Sequence, residues 1–240
     1  LPRVLFSTYS LHTPSQLRAE DIHYSPTHTA FRLGRTTYSL PLTGEYNLSN
    51  CLAAISTALL LGIAPSDIKR ALLSFKGVQG RLEIVPNRRG IHAYVDFAHT
   101  PNALRAVLTN LRSIKKPEEK LIVIFGAAGL RDSSKRPLMG AAASELADKI
   151  ILTSEDPRYE NPAVIANQIL SGIPPEQKRR VTIELDRAKA IDLAINRLAR
   201  PGDWVVSCGK GHEESLNLDG ETEIPWSEHQ VMQKALEKKP

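Results

Sequence analysis

The sequence predicts an α/β chain: a mostly parallel sheet with helices on both faces, preceded by a smaller unit of a few strands and two helices. Three observations carry this prediction. Beyond residue 84, short β-rich runs alternate with helical ones. Polar residues of unusual type gather directly after those runs. A change of character over residues 81–86 separates the alternation from what precedes it, which gives two domains, 1–80 and 84–240. With 42% hydrophobic content in 240 residues, the chain can supply a core to each.

Taken in order, residues 4–10 read as a strand. Residues 30–42 alternate apolar and polar positions around Gly34, as the arms of a hairpin with a short turn do. The run from Asn47 is rich in helix formers and closes on Gly62, the residue type that most easily takes a left-handed cap. Pro65 suits the first turn of a second helix, in which Ile68, Ala71, Leu72 and Phe75 recur at helical spacing. Gly77 and Gly80 then break the pattern. Strands follow at 93–97, 121–125, 149–153, 181–185 and 204–208, with helices at 102–114, 136–147, 162–170 and 187–198. The chain enters its first strand at once and has no initiator Met, so it is expected to be a fragment.

In such sheets ligands bind outside the carboxyl ends of the strands, and the unusual residues fall there. They are Asp96 and His99 after the first strand, Gly126 through Asp132 after the second, and Ser154 through Arg158 after the third. Asp186-Arg187 follows the fourth, and Gly209-Lys210-Gly211-His212-Glu213 the fifth.

Composition narrows the function. The net charge of +5 is spread without a basic block or interleaved aromatics, which suits a small anionic substrate and argues against nucleic acid. Cys51 and Cys208 belong to no CxxC or Cys/His cluster, so neither a disulfide scaffold nor a structural metal site is expected, and a reducing cytoplasm is the expected home. No secretory signal and no apolar run of membrane-spanning length occurs, so no membrane partner is expected. There is no Gly-x-x-x-x-Gly-Lys-Ser/Thr phosphate loop, and no Gly-x-Ser-x-Gly elbow beside the histidines.

Each loop has a plain structural reading beside the functional one. Gly126 through Gly129 could cradle a phosphate, but alone they are better explained by a tight strand-to-helix turn. Arg131 offers a planar fork for a carboxylate or phosphate, or else pairs with Asp132. Pro157 stiffens a turn that presents Glu155, Asp156 and Arg158 together, a charge set complementary to a zwitterionic amino acid; a helix-capping Asp-Pro turn is equally in keeping. Gly209 through Glu213 is the strongest short signal, because packing alone has little use for Lys, His and Glu in succession between glycines.

In order, the segments Gly44-Glu45-Tyr46-Asn47-Leu48-Ser49-Asn50, Gly80-Arg81-Leu82-Glu83, Asp96-Phe97-Ala98-His99-Thr100-Pro101, Gly126 through Asp132 with Lys135-Arg136-Pro137, Thr153 through Arg158 and Gly209 through Glu213 resemble the Mur ligase family, most closely its MurE type. The resemblance covers nearly the whole chain. It implies that residues 1–80 are the end of the family's central ATPase domain and that residues 84–240 form its Rossmann-like, amino-acid-binding domain. It implies ATP and Mg²⁺ as cofactors of the full-length enzyme, neither held stably by this fragment, which is expected to be inactive alone because the phosphate loop and catalytic residues would lie upstream. The reaction implied is ATP-dependent amide formation through an acyl phosphate, joining an amino acid, meso-diaminopimelate by this likeness, to a UDP-muramoyl dipeptide for peptidoglycan. Carried over by motif, Asn47, Asn50, Arg81, Asp96 and His99 would contact ATP. Arg131, Glu155, Asp156, Pro157, Arg158, Gly209 and Glu213 would hold the amino acid.

The chain departs from the MurE pattern in places. Glu155-Asp156-Pro157-Arg158 stands for Asp-Asn-Pro-Arg, Gly-Ala-Ala-Gly-Leu-Arg131 for Cys-Gly-Gly-Asp-Arg, and Ile224-Pro225-Trp226-Ser227-Glu228 for a Phe-Asp-Asp ending. These changes bear on which amino acid is used. A lysine- or ornithine-adding ligase, a folylpolyglutamate synthase, or a non-catalytic nucleotide- or amino-acid-binding module with the same fold are the alternative readings.

Overall fold

The computed structural model describes residues 6–238. It splits into two compact units, Leu1–Gly77 and Val78–Pro240. The division precedes residues 81–86 because Glu83 and Ile84 pair with Val95 and Tyr94 as an edge strand of the second unit's sheet.

In the first unit, β1 (Tyr9–Ser10) and β2 (Leu17–Arg18) form a short parallel pair, and β3 (Glu20–Tyr24), β4 (Thr29–Leu33) and β5 (Thr36–Leu40) an antiparallel sheet. Val4 and Leu5 of the expected first strand lie outside the described residues. The β4–β5 hairpin turns at Gly34, whose φ of 55° supplies the left-handed residue a tight turn needs. Alternation does the rest: Phe31, Leu33, Tyr38 and Leu40 face one core with Leu48, Leu52 and Ile55 of α1 (Glu45–Leu60). Helix α1 ends in a Schellman arrangement, with Gly62 N–H donating to Leu59 O and Ile63 N–H to Ala58 O, both at 3.0 Å. Helix α2 (Pro65–Ser74) starts on its proline and buries Ile68. Phe75 is not part of it, because its backbone is already extended (φ −69°, ψ 126°) and its ring is exposed.

The second unit is built on six strands in the order β10-β9-β8-β11-β7-β6. These are β6 (Glu83–Ile84), β7 (His92–Asp96), β8 (Leu121–Phe125), β9 (Lys149–Leu152), β10 (Val181–Ile183) and β11 (Trp204–Cys208). Every neighbouring pair is parallel except β6 with β7. The intervening helices are α3 (Pro101–Ile114), α4 (Lys135–Leu146), α5 (Pro162–Ser171) and α6 (Arg187–Leu193). From β7 the chain steps outward through β8, β9 and β10, then returns to β11 between β8 and β7. Right-handed crossovers therefore put α3, α4 and α5 on one face and α6 on the other. The packing agrees: Ala190 and Ile191 of α6 share a core with Ala93, Val95, Ile122, Ile124, Ile151 and Val205, joined by Met232, Ala235 and Leu236 of α7 (Glu228–Glu237). Residues 194–198, expected to continue α6 as an α-helix, form a π turn instead, with Ala199 N–H bonding to Ala194 O. A hairpin of β12 (Ser215–Asn217) and β13 (Glu223–Pro225) precedes α7.

Candidate functional site

Sheet register sets the site. Asp96 lies opposite Cys208, and Phe125 opposite Leu152, so the parallel strands end level and their following loops meet at one edge.

After β7, Asp96 is only 3% exposed. Its carboxylate accepts from Leu82 N–H at 2.7 Å and Ala98 N–H at 2.8 Å. Burial raises its pKa, while those two amides and the charge of Arg81 oppose the rise. Asp96 thus fastens the segment before β6 to the loop after β7, whatever else it contacts. Above it the exposed Arg81 lies over the Phe97 ring, 4.8 Å from the centroid, and His99 packs edge-on against the same ring at 4.6 Å. His212 comes to 5.1 Å from Phe97. This close packing needs glycine, since a Cβ on Gly80 would collide with Gly211 and the His212 amide, and one on Gly211 with Phe97. Lys135 donates to His99 O at 2.7 Å.

The glycines after β8 are explained by packing. A Cβ on Gly126 would strike Thr153 O, and one on Gly129 would strike Pro157 O; Gly129 N–H donates to Asp156 O at 2.8 Å. Leu130 takes a left-handed φ of 54°, and its N–H donates to Glu160 at 2.5 Å. Glu160 is itself gripped by the fully buried Arg136, at 2.8 and 3.1 Å. Arg131, next along, is exposed, and among the described residues it pairs with neither Asp132 nor any other acid. Asp132 instead bonds to Ser134.

The loop after β9 is held from three sides. Asp156 receives both contacts of Lys210 Nζ, at 3.0 and 2.9 Å, and the Asn217 N–H at 3.0 Å. Lys210, 1% exposed, also reaches Glu213 at 2.9 Å. Arg158 donates its N–H to Asn217 O at 3.2 Å and has a left-handed φ of 54°, a conformation that a non-glycine residue keeps only when its surroundings impose it. Its Nε is buried without a partner, and among the described residues it makes no ion pair with Glu155 or Asp156. So the three charges expected to face a ligand together do not: Asp156 is engaged within the protein, whereas Arg158 is not.

Glu155 is 6% exposed, and burial pushes its pKa up to about 7, against the lowering influence of Arg187, Lys135 and Lys210. One of its carboxyl oxygens has no partner, and it lies so near Gly209 that a Cβ there would collide with it. Gly209 takes a φ of 109°, and Glu213 is half-buried beside a cavity of about 420 Å³ that Gln79, His212, Trp226 and His229 also line.

The sequence marked Arg187, Lys210 and Glu228 by position but gave no sign of the pairings by which they tie these loops from below. Arg187 and Glu228 form a buried pair at 2.8 Å; Arg187 also donates to Ser154 O and Cys208 O, and Trp226 to Glu228 at 2.7 Å. Lys210 and Glu228 were visible as a polar residue after an apolar strand and as an acid at a helix start, but their partners lie 54 and 41 residues away in the chain. In the first unit, Asn47 is buried and spends its amide on Thr43 O at 2.8 Å, while Asn50, one turn on, is exposed. Among the described residues no three His, Cys, Asp or Glu side chains are placed to hold a metal ion, and no helix is long and apolar enough to cross a membrane.

Comparison with known proteins covers both units of the chain. The family model "Mur ligase, glutamate ligase domain" matches residues 80–211. UDP-N-acetylmuramoyl-L-alanyl-D-glutamate--2,6-diaminopimelate ligase of Thermosynechococcus vestitus is 40% identical over all of this chain and 48% of its own length. The protein of the same name from Clostridioides difficile is 37% identical over 96% of this chain and 48% of its own. A solved structure of a UDP-N-acetylmuramoyl-L-alanyl-D-glutamate--2,6-diaminopimelate ligase superposes with a TM-score of 0.69 at 32% identity, covering 96% of this chain and 47% of that one. Folylpolyglutamate synthase of Thermotoga maritima, at 18% identity and a TM-score of 0.61 over 80% of this chain and 43% of its own, shares the fold. The chain spans about half the length of the curated relatives it matches. Since the matched residues run from Gly80 through the loop after β11, across the whole parallel sheet and the loops at its edge, the chain belongs to the Mur ligase family.

Proposed function

We propose that this chain is the amino-acid-binding half of a cytoplasmic ATP-dependent ligase that joins meso-diaminopimelate to a UDP-N-acetylmuramoyl dipeptide. In this reading residues 1–80 close the ATPase domain and residues 84–240 bind the incoming amino acid. The observation that carries it is Arg158, a partly buried guanidinium at the ligand edge of the sheet whose Nε has no hydrogen-bond partner and which, among the described residues, has no carboxylate within ion-pair distance, Glu223 acting on it only from farther away. It offers a forked, charge-assisted contact to the distal carboxylate that diaminopimelate has and lysine lacks. The diaminopimelate ligases named above support it.

ATP, when bound, supplies the phosphoryl group that activates the dipeptide's carboxylate for amide formation. This chain's residues then have separate tasks. In the second unit Arg81 and His99, packed on Phe97, offer a cationic, aromatic surface to the nucleotide, and Asp96 offers its remaining lone pairs to hydroxyls; in the first unit the exposed Asn50 offers its amide to a base, with Asn47, whose amide is held by Thr43 O, fixing that turn of the helix. Arg131 and Arg158 would take the amino acid's two carboxylates, and Glu213 the amine that does not react. Gly209, with Glu155 pressed against it, leaves room for the substrate backbone, and Pro157 fixes the turn on which Asp156 and Arg158 sit.

The test is phosphate release by the full-length protein with Mg²⁺, ATP and UDP-N-acetylmuramoyl-L-alanyl-D-glutamate, adding meso-diaminopimelate, lysine or ornithine in turn. Release that depends on diaminopimelate is expected. Release with lysine or ornithine alone, or with none of the three, contradicts the proposal.

A further inference from the structure

We infer that Lys210 is a positioning residue that sets the charge of the amino-acid site: by neutralising Asp156 and holding Glu213, it leaves substrate carboxylates to be read by arginines without competition from Asp156. The inference rests on the ligase reading above and deepens it.

The geometry is that of a hub. Lys210 Nζ has three protons, and the three oxygens near it are Asp156 Oδ1 at 3.0 Å, Asp156 Oδ2 at 2.9 Å and Glu213 Oε2 at 2.9 Å. Its side chain is 1% exposed, so water compensates its charge little and the two acids do so instead. Asp156 is also the acceptor of Asn217 N–H, and its backbone carbonyl accepts from Gly129. One ammonium therefore joins the loop after β9 to the loop after β11, and Asp156 in turn joins both to the loop after β8 and to β12.

The charge balance follows. The Glu-Asp-Pro-Arg sequence suggests two acids facing a substrate amine beside one arginine. In the folded chain Asp156 has its negative charge matched by Lys210, and burial favours the neutral form of Glu155. Arg158 and Arg131 make no ion pair among the described residues, Glu223 acting on Arg158 only from beyond ion-pair distance. Glu213, sharing the same ammonium but with a side chain 40% exposed, stays open to an amine. The edge is thus suited to a substrate with two carboxylates and a spare amine. Without Lys210, Asp156 would be a free anion two residues from Arg158, able to pair with it or attract a terminal ammonium.

The experiment uses the full-length protein with Mg²⁺, ATP and the nucleotide dipeptide, and measures kcat and KM for meso-diaminopimelate and lysine, with KM for ATP as control. For K210M the KM for diaminopimelate should rise by about tenfold or more and the diaminopimelate-to-lysine ratio of kcat/KM should fall, with KM for ATP little changed. The double variant K210M/D156N, which removes both charges, should recover most of the lost ratio. Wild-type selectivity in K210M, or a double variant as unselective as K210M, overturns the inference. Should K210M fail to fold, the double variant decides by its ratio: near wild type supports the inference, inverted overturns it. A wild type that ligates lysine alone defeats both this inference and the ligase reading, whereas a diaminopimelate-selective wild type with an unaltered K210M defeats this one only.

Discussion

Glu155 lies between Gly209 and the turn of Gly126, and its burial makes the charged form costly. Its carboxyl titrates near 7 in the folded chain against 4.5 when unperturbed, so the fold binds that proton more tightly than the unfolded chain does. The stabilisation this gives is complete below the unfolded value and is lost as pH rises through the folded one. Between about pH 5 and about pH 8 the wild type should therefore lose on the order of 3 kcal/mol relative to E155Q, whose amide cannot ionise. Denaturant unfolding of both proteins at the two pH values checks this; parallel pH dependences would show that Glu155 is solvated or paired. Residue types of this kind were legible in sequence as unusual polar groups after strands. Their states were not, because Glu155 owes its shift to burial and Asp156 owes its neutralisation to a lysine 54 residues on.

At the scale of elements, the strands and helices of the parallel sheet are visible in the sequence because their patterns are strong. Leu121–Phe125 is buried at every position and reads as a central strand, and α3 carries its proline at the start and buries Leu104, Val107, Leu108 and Leu111 on one face. The pieces that escaped are short or polar. β6 has two residues, β12 and β13 three each, and α7 begins on Glu228, an acid that a periodicity argument assigns to solvent but which is 1% exposed against Arg187. Asp96, expected from the resemblance to contact ATP, also holds the fold locally. Asp96→Ala would strand the amides of Leu82 and Ala98, both in buried residues, and should cost about 3 kcal/mol of stability. Thermal melting of the variant measures it. An unchanged melting temperature would mean that water replaces the carboxylate at little cost and that Asp96 is free to act on a ligand alone.

For the whole molecule, the order of the strands decides where chemistry can occur. The strands run parallel, so the loops after β7, β8, β9 and β11 meet at one edge, and the strand order reverses there when the chain returns to β11. Fold class and family followed from the alternation and from six motifs in order. What did not follow was the internal scaffold of Lys210, Arg136, Arg187 and Glu228, since partners distant in sequence leave no local pattern. On the proposed function, this edge selects an amino acid by its distal carboxylate through Arg158. The most direct test is Arg158→Ala in the full-length protein, with kcat/KM determined for meso-diaminopimelate and lysine side by side. Loss of a buried, charge-assisted contact typically costs about 2–5 kcal/mol, so diaminopimelate use should fall by well over tenfold while lysine use is unchanged or improved. A variant that keeps its preference for diaminopimelate, or a wild type that prefers lysine from the outset, would contradict the account.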